Sequence, residues 1–223
     1  MEETQPTWEK GTSDDEGRSI PDAVIKRLSL YSRILQVLEM DRTEKVSSAE
    51  LARRLGLNSA QVRKDLALFG QFGIPGFGYH VSDLRKELRR ILGTDQQVRV
   101  ILVGVGNLGS ALLSYGGFIK QGFTMLWGFD AHPVEAAARA RTTVPIYHVD
   151  ELEARLASNQ VDIAVLAVPA GAAQEIADRL VGLGVRAILN FVPARLQVPG
   201  HVQVRHVDLS LELESLSYYV QDD

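Results

Sequence analysis

Three glycines, Gly104, Gly106 and Gly109, stand in the order GxGxxG within the stretch Gly104-Val105-Gly106-Asn107-Leu108-Gly109. That spacing suits the binding of a dinucleotide. Gly104 permits a tight turn, Gly106 lets a pyrophosphate approach the backbone, and Gly109 lets the next helix lie close to the preceding strand. The apolar run 98–103 before the glycines reads as a strand, and the stretch 108–113 after them as a helix. The start of that helix presents free N–H groups and the positive end of its dipole to phosphates. A second strand candidate, 123–129, ends at Asp130, 21 positions after Gly109. A carboxylate there accepts hydrogen bonds from ribose hydroxyls and repels a 2′-phosphate, which favours NAD+ and NADH over their phosphorylated counterparts. A bare glycine turn with an unrelated surface acid is the alternative, and the ordered strand, turn, helix, strand and acid argue against it.

A second set of reactive side chains lies upstream. Ser59, Gln61, Arg63 and Lys64 fall on the outer side of a helix expected over 59–69, whose inner side carries Val62, Leu66 and Phe69. Those outer types suit a DNA major groove: Gln pairs with an adenine edge, Arg with guanine, and Lys or Ser with phosphate. An ordinary solvated face of a small helical module remains the other reading.

The elements around both sets support them. Pro21 opens a helix whose apolar face is Val24, Ile25, Leu28, Tyr31, Ile34, Leu35 and Leu38. Ser47 and Glu50 match a capping box that starts a short helix over 48–55, ended by Gly56. With the helix over 59–69 this predicts a helix-turn-helix between about Ser29 and Leu68. Gly70 to Val81 is rich in glycine, while Phe77, Tyr79 and Val81 alternate as in a strand. Two readings stay open there: a wing whose tip, around Gly76 and Tyr79, enters a minor groove, or a structural turn. A helix over 82–92 closes this module, and 93–95 is the boundary.

Beyond it, 161–168 and 185–191 read as buried strands flanking a helix over 172–183. They predict an α/β domain with a Rossmann-type parallel sheet, following the N-terminal winged helix-turn-helix domain. Val168 and Pro169, and Asn190, Phe191 and Pro193, lie at the carboxyl ends of those strands, where ligands bind in such sheets. Asn190 and Pro193 suit a simple turn equally well. One further strand, 202–207, precedes a final helix over 210–220 bearing Leu211, Leu213, Leu216 and Tyr219, which packs either on its own domain or on a partner subunit.

Composition sets the bounds. The 223 residues are 45% hydrophobic, enough for a sizeable core, and no run is long and apolar enough to cross a membrane. The N-terminus is acidic and lacks the features of a signal peptide, so a cytoplasmic location is expected. With no cysteine there is no disulfide, thiolate metal site or thiol redox sensor, so any redox sensing falls to a bound cofactor. The net charge of −4 divides into −4 over 1–20, +4 over 21–95 and −4 over 96–223. A basic module beside an acidic one suits DNA for the first and a different ligand for the second. Residues 1–19 are too polar to bury a core and read as a disordered acidic tail.

Five motifs together resemble the Rex family of redox-sensing transcriptional repressors: RLxLYxR at 27–33, QVRKDL at 61–66, FGxxGxxGxGY at 69–79, GVGNLGxAL at 104–112 and NFxP at 190–193. The resemblance spans nearly all of 20–220. It implies a homodimer that binds double-stranded operator DNA when NAD+ prevails and releases it when NADH binds, with no catalysis, no metal and no membrane partner. It also implies a winged-helix domain over 20–93 in which Arg27 joins the DNA-contacting residues, an NAD(H)-binding domain over 96–208, and a terminal helix over 209–223 exchanged between subunits. Arg33, Tyr115 and Asp208 match family positions that link domains and subunits. Leu209 departs from the Phe that some members carry beside the nicotinamide. The rival is an NAD-dependent dehydrogenase with an N-terminal helical domain. It needs an acid or base beside the nicotinamide, and the five histidines, His80, His132, His148, His201 and His206, are scattered.

Overall fold

The computed structural model describes residues 20–74 and 76–220, so the expected disordered tail over 1–19 lies outside the described residues. The described chain divides between Leu92 and Gly93 into two units, each with its own apolar core.

In the first unit, α1 (Asp22–Met40) follows the extended Pro21 and buries Val24, Leu28, Tyr31, Leu35 and Leu38. A two-residue strand, β1 (Lys45–Val46), leads into α2 (Ser48–Leu55). Ser47 caps α2 by accepting the Glu50 N–H at 3.1 Å, but the reciprocal half of the capping box is absent. The Glu50 carboxylate turns outward to Arg53 and Arg54, both at 2.7 Å, because two cations one turn ahead outcompete a neutral backbone N–H. Gly56, at φ +64, ends the helix, and Asn58 caps α3 (Ser59–Ala67) through the Ala60 N–H. The helix stops short of Phe69, since Leu68 and Phe69 bond three residues back in a tighter turn.

The predicted strand alternation of Phe77, Tyr79 and Val81 is corrected. Only Tyr79–His80 form a strand, β2, and it pairs antiparallel with β1; Val81 already begins α4 (Val81–Ile91). The glycine-rich segment makes its own tight loop through Ile74 and Gly78, which bond each other's backbone at 3.0 and 3.1 Å. Gly78, at φ +84, is required there: a Cβ would lie 2.5 Å from the Val46 carbonyl oxygen.

The second unit is a six-stranded parallel sheet in the order β5-β4-β3-β6-β7-β8. Its strands are β3 (Val98–Val103), β4 (Phe123–Asp130), β5 (Ile146–His148), β6 (Ile163–Leu166), β7 (Ala187–Asn190) and β8 (Gln203–His206). Connecting helices are α5 (Asn107–Leu113) and α6 (Gly117–Lys120) before β4, α7 (Pro133–Ala140) before β5, α8 (Leu152–Leu156) before β6 and α9 (Ala170–Gly182) before β7. Strand order reverses between β3 and β6, which opens a crevice at their carboxyl ends. One sheet face packs Ile101, Val103, Leu166 and Ile188 against Leu152, Ile176 and Leu180; the other packs Val100, Leu102 and Val165 against Leu113, Ala136 and Ala140.

No helix joins β7 to β8. After β8, α10 (Leu209–Ser217) leaves Leu211, Leu213, Leu216 and, in the following turn, Tyr219 at 61–75% exposure. In this structure these side chains are not buried on their own domain.

Candidate functional site

The glycine loop is built as its spacing requires. Gly104 adopts φ +94, and a Cβ there would lie 2.4 Å from the Ala167 carbonyl oxygen. At Gly109 a Cβ would lie 2.0 Å from the Gly104 oxygen, so α5 sits against the loop only because that side chain is missing. Gly106 differs: nothing lies within 4 Å of its Cβ direction. It borders a cleft of ≈730 Å³, together with Gly104, Asp130, His132, Val168 and Pro169.

Asp130 anchors this loop. One carboxylate oxygen accepts the Val105 N–H at 2.7 Å and the other the His132 N–H at 2.9 Å. The Val105 carbonyl is held in turn by Arg139 at 3.0 Å and by the Ser110 hydroxyl at 3.3 Å. Arg139, unremarked in the sequence, thus puts a cation on the wall of the cleft that Val168 and Pro169 also line. The signal for it was its place on the helix directly after Asp130, where a cation can lean back on the loop.

Not every expected cofactor residue joins them. Asn190 is wholly buried, and its amide bonds the carbonyls of Val192 and Ala194 at 3.1 and 3.0 Å, approaches the His206 ring at 3.0 Å, and accepts the Val192 N–H at 3.0 Å. It shapes the turn after β7. Phe191 packs toward the α5 and α7 side of the sheet, Pro193 is exposed, and neither lines the cleft. Asn107 and Leu108 open α5 on its exposed side.

In the first unit the centre is a residue to which the sequence assigned no role. Asp65, only 1% exposed, receives Arg27 Nε at 2.5 Å, Arg27 Nη2 at 2.8 Å, the Tyr31 hydroxyl at 2.7 Å and the Gln61 amide at 2.7 Å. Burial pushes its carboxyl upward, but the hydrogen bonds from Arg27, Tyr31 and Gln61 outweigh it and hold the group below the usual carboxylate range. The same burial, then the bond to Asp65, raises the Tyr31 phenol. The bond to Asp65 also raises the Arg27 guanidinium. The pair was legible by register: an acid three positions after Val62 faces inward, and Arg27 lies between Val24 and Tyr31.

This alters the expected DNA face. Arg27 and the nitrogen of Gln61 are committed to Asp65. Tyr79 is buried, its ring against Gly73, because β2 turns that side chain inward to pair with β1. Arg63 and Lys64 stay exposed, with Arg63 lying over the Ser48 hydroxyl at 3.2 Å, and Ser59 is half-buried at the start of α3. Gly76 is exposed beside Phe77, whose ring is 69% exposed under the Lys45 ammonium at 5.5 Å. Of the coupling candidates, Arg33 is exposed on α1, Tyr115 is exposed and edge-on to Phe118, and Asp208 caps α10 through the Ser210 N–H at 2.9 Å.

Comparison with known proteins matches this division. Residues 19–67 fit the family model described as putative DNA-binding protein N-terminus, and residues 95–194 fit that of the CoA binding domain. The chain is 43% identical over 201 residues to the redox-sensing transcriptional repressor Rex of Syntrophobacter fumaroxidans, covering 90% of this chain and 96% of that one. It is 47% identical over 204 residues to that of Streptomyces coelicolor, covering 92% and 79%. Among solved structures, RSP in complex with β-NAD+ and operator DNA superposes with a TM-score of 0.84 at 39% identity, covering 92% of this chain and 94% of that one. RSP in complex with β-NADH gives 0.79 at 38%, covering 91% and 95%. These relatives are repressors, which sets the dehydrogenase reading aside. With both units accounted for over nine-tenths of its length, the chain belongs to the Rex family of redox-sensing transcriptional repressors.

Proposed function

We propose that this protein is a homodimeric, cytoplasmic repressor that binds operator DNA through the Arg63 and Lys64 face of α3 and releases it when NADH occupies the Gly106 cleft. The observation that carries the cofactor reading is Gly106. Its neighbours require glycine for packing, whereas Gly106 needs none from the protein's side and opens on the cleft beside an anchored acid. The residues fit a dinucleotide: the loop backbone takes the pyrophosphate, and Asp130 faces the adenosine ribose while still holding Val105. The bound nucleotide supplies binding energy that differs between two states of the protein, and no bond is made or broken.

Two surfaces of the second unit support the dimer. The face over β6 and β7 that lacks a covering helix carries an apolar groove of ≈370 Å³, lined by Val100, Phe118, Met125, Ile163, Val165 and Leu189. The same chain ends in α10, whose leucines its own core leaves bare. An apolar helix and an uncovered apolar face on one polypeptide are a self-complementary pair, satisfied by a second copy. Among the described residues no helix is long and apolar enough to cross a membrane, and no group of His, Asp or Glu could hold a metal ion.

In a dimer the two α3 helices must meet half-sites one helical turn, ~34 Å, apart, so a nucleotide-dependent change in their spacing weakens DNA binding. Coupling of ~1–3 kcal/mol shifts affinity roughly 5- to 150-fold, and reciprocally for DNA and nucleotide. The test is fluorescence anisotropy on a palindromic A·T-rich duplex at fixed salt, titrated separately with NADH, NAD+, NADPH and coenzyme A. Release by NADH at far lower concentration than by the others supports the reading; binding indifferent to all four sinks it.

A further inference from the structure

Gln61 is the third residue of α3, and any role for it in base recognition rests on the reading of α3 as the major-groove helix. A glutamine amide ordinarily turns over freely, so it can offer a base edge either its oxygen or its nitrogen, and the two are assigned by their neighbours. Here the neighbour decides. Gln61 Nε2 lies 2.7 Å from Asp65 Oδ1, and a carboxylate only accepts, so the amide cannot turn its oxygen toward it. Asp65 is itself held at two points by Arg27 and at a third by Tyr31, in a site almost closed to solvent. No hydrogen bond to Gln61 Oε1 is found among the described residues, and Gln61 is half-buried rather than closed off.

We propose that Asp65 locks the polarity of the Gln61 amide, so that Gln61 presents its oxygen to the groove and reads an exocyclic amine, adenine N6 or cytosine N4. Every base pair carries one such amine in the major groove, but its position differs between A·T and T·A and between G·C and C·G. A locked acceptor therefore discriminates by where the amine lies. An unlocked glutamine tolerates an amine or a carbonyl at the same point.

The test starts from a randomised duplex pool, selected for binding by the full chain without nucleotide. The consensus duplex is then remade with purine for adenine or pyrimidin-2-one for cytosine, one position at a time, which removes only the amine. At one position per half-site, loss of the amine is expected to weaken wild-type binding about tenfold. Gln61→Met should lose a similar factor and be indifferent to that substitution, and selection with Asp65→Asn should yield a pool relaxed at that position. Circular dichroism of Asp65→Asn confirms folding, and Gln61→Met carries the test alone if that variant unfolds. Arg63→Ala and Lys64→Ala separate the two readings. If they bind DNA as before, α3 is not the groove helix and both readings fall. If they weaken binding while Gln61→Met keeps the wild-type consensus, or if the sensitive position needs a carbonyl rather than an amine, the polarity lock alone is overturned.

Discussion

Arg27 and Asp65, 38 residues apart, meet in a two-point ion pair at 2.5 and 2.8 Å that fastens α1 to α3. α3 thus takes its position from a charge pair as well as from Val62 and Leu66 packing below it. Removing one partner leaves the other charge buried, which costs more than the pair itself contributes. Arg27→Met keeps most of the side-chain volume and strands the Asp65 carboxylate. We expect a loss of about 2–4 kcal/mol in the first unit's unfolding free energy, read by urea denaturation at pH 7. A loss under about 0.5 kcal/mol would mean that Tyr31 and Gln61 suffice alone.

The pH dependence of the same pair has a definite sign. Asp65 titrates lower in the folded chain than its unfolded value of about 3.9. Its contribution is therefore fully present above about pH 4 and is lost as pH falls through the lower, folded value. In Arg27→Met the hydrogen bond and charge that do most to offset burial are gone, so the folded value rises and protonation relieves the stranded charge. The stability gap between wild type and variant should narrow between about pH 6 and pH 4. Urea midpoints for both proteins across that range check it, and a gap that widens would place the linkage elsewhere.

Gly106 and Gly109 separate cofactor binding from packing. At Gly106 the backbone sits at φ −72 and an added methyl meets nothing, so Gly106→Ala should keep the wild-type thermal midpoint. Its NADH affinity should fall at least tenfold, because that methyl projects where the pyrophosphate approaches. Gly109→Ala drives a methyl into the Gly104 carbonyl and should lower stability by about 1–3 kcal/mol. Calorimetry on both variants, with and without NADH, reads the contrast; equal destabilisation by the two would refute it.

Much of this was legible in the sequence. The Val98–Val103 strand and the Ser48–Leu55 helix appear with the predicted bounds, because each is bracketed by a glycine or a cap that admits no other register. The strand alternation of Phe77, Tyr79 and Val81 was misread because Tyr79 pairs with Val46, a partner more than thirty residues back that alternation cannot reveal. Asn190 stood open between ligand and turn because a polar side chain at a strand's carboxyl end serves either, and its bonds to the Val192 and Ala194 carbonyls are those of a turn. The Asp65 centre was legible only in part: register turns Asp65 inward, but Arg27 and Tyr31 reach it from α1, and spacing along α3 says nothing of them.

The exposed leucines of α10 give the oligomer its test. Leu213 is 68% exposed in the single chain and touches none of its core, so Leu213→Asp should leave circular dichroism unchanged. In a dimer that buries it, the aspartate is desolvated against apolar side chains, and the sedimentation coefficient should shift from dimer to monomer. A monomeric wild type, or a Leu213→Asp variant still dimeric at micromolar concentration, would assign the helix another role.

Asp130 has two tasks in one carboxylate, and a substitution pair separates them. Asp130→Asn keeps an oxygen for the Val105 N–H, gives up the bond from the exposed His132 N–H and removes the charge that repels a 2′-phosphate, whereas Asp130→Ala loses all three. NADPH affinity should therefore rise relative to NADH in Asp130→Asn, with a smaller fall in thermal midpoint than in Asp130→Ala. Asp130→Ala should relax the same preference and, in addition, lower the midpoint, since the glycine loop loses its anchor at 2.7 Å. Isothermal titration with the two nucleotides, paired with thermal scans, reads both effects. If Asp130→Asn still rejects NADPH as strongly as the wild type, the discrimination comes from the neighbouring Glu135, the other acid on the cleft wall, and the ribose assignment of Asp130 fails.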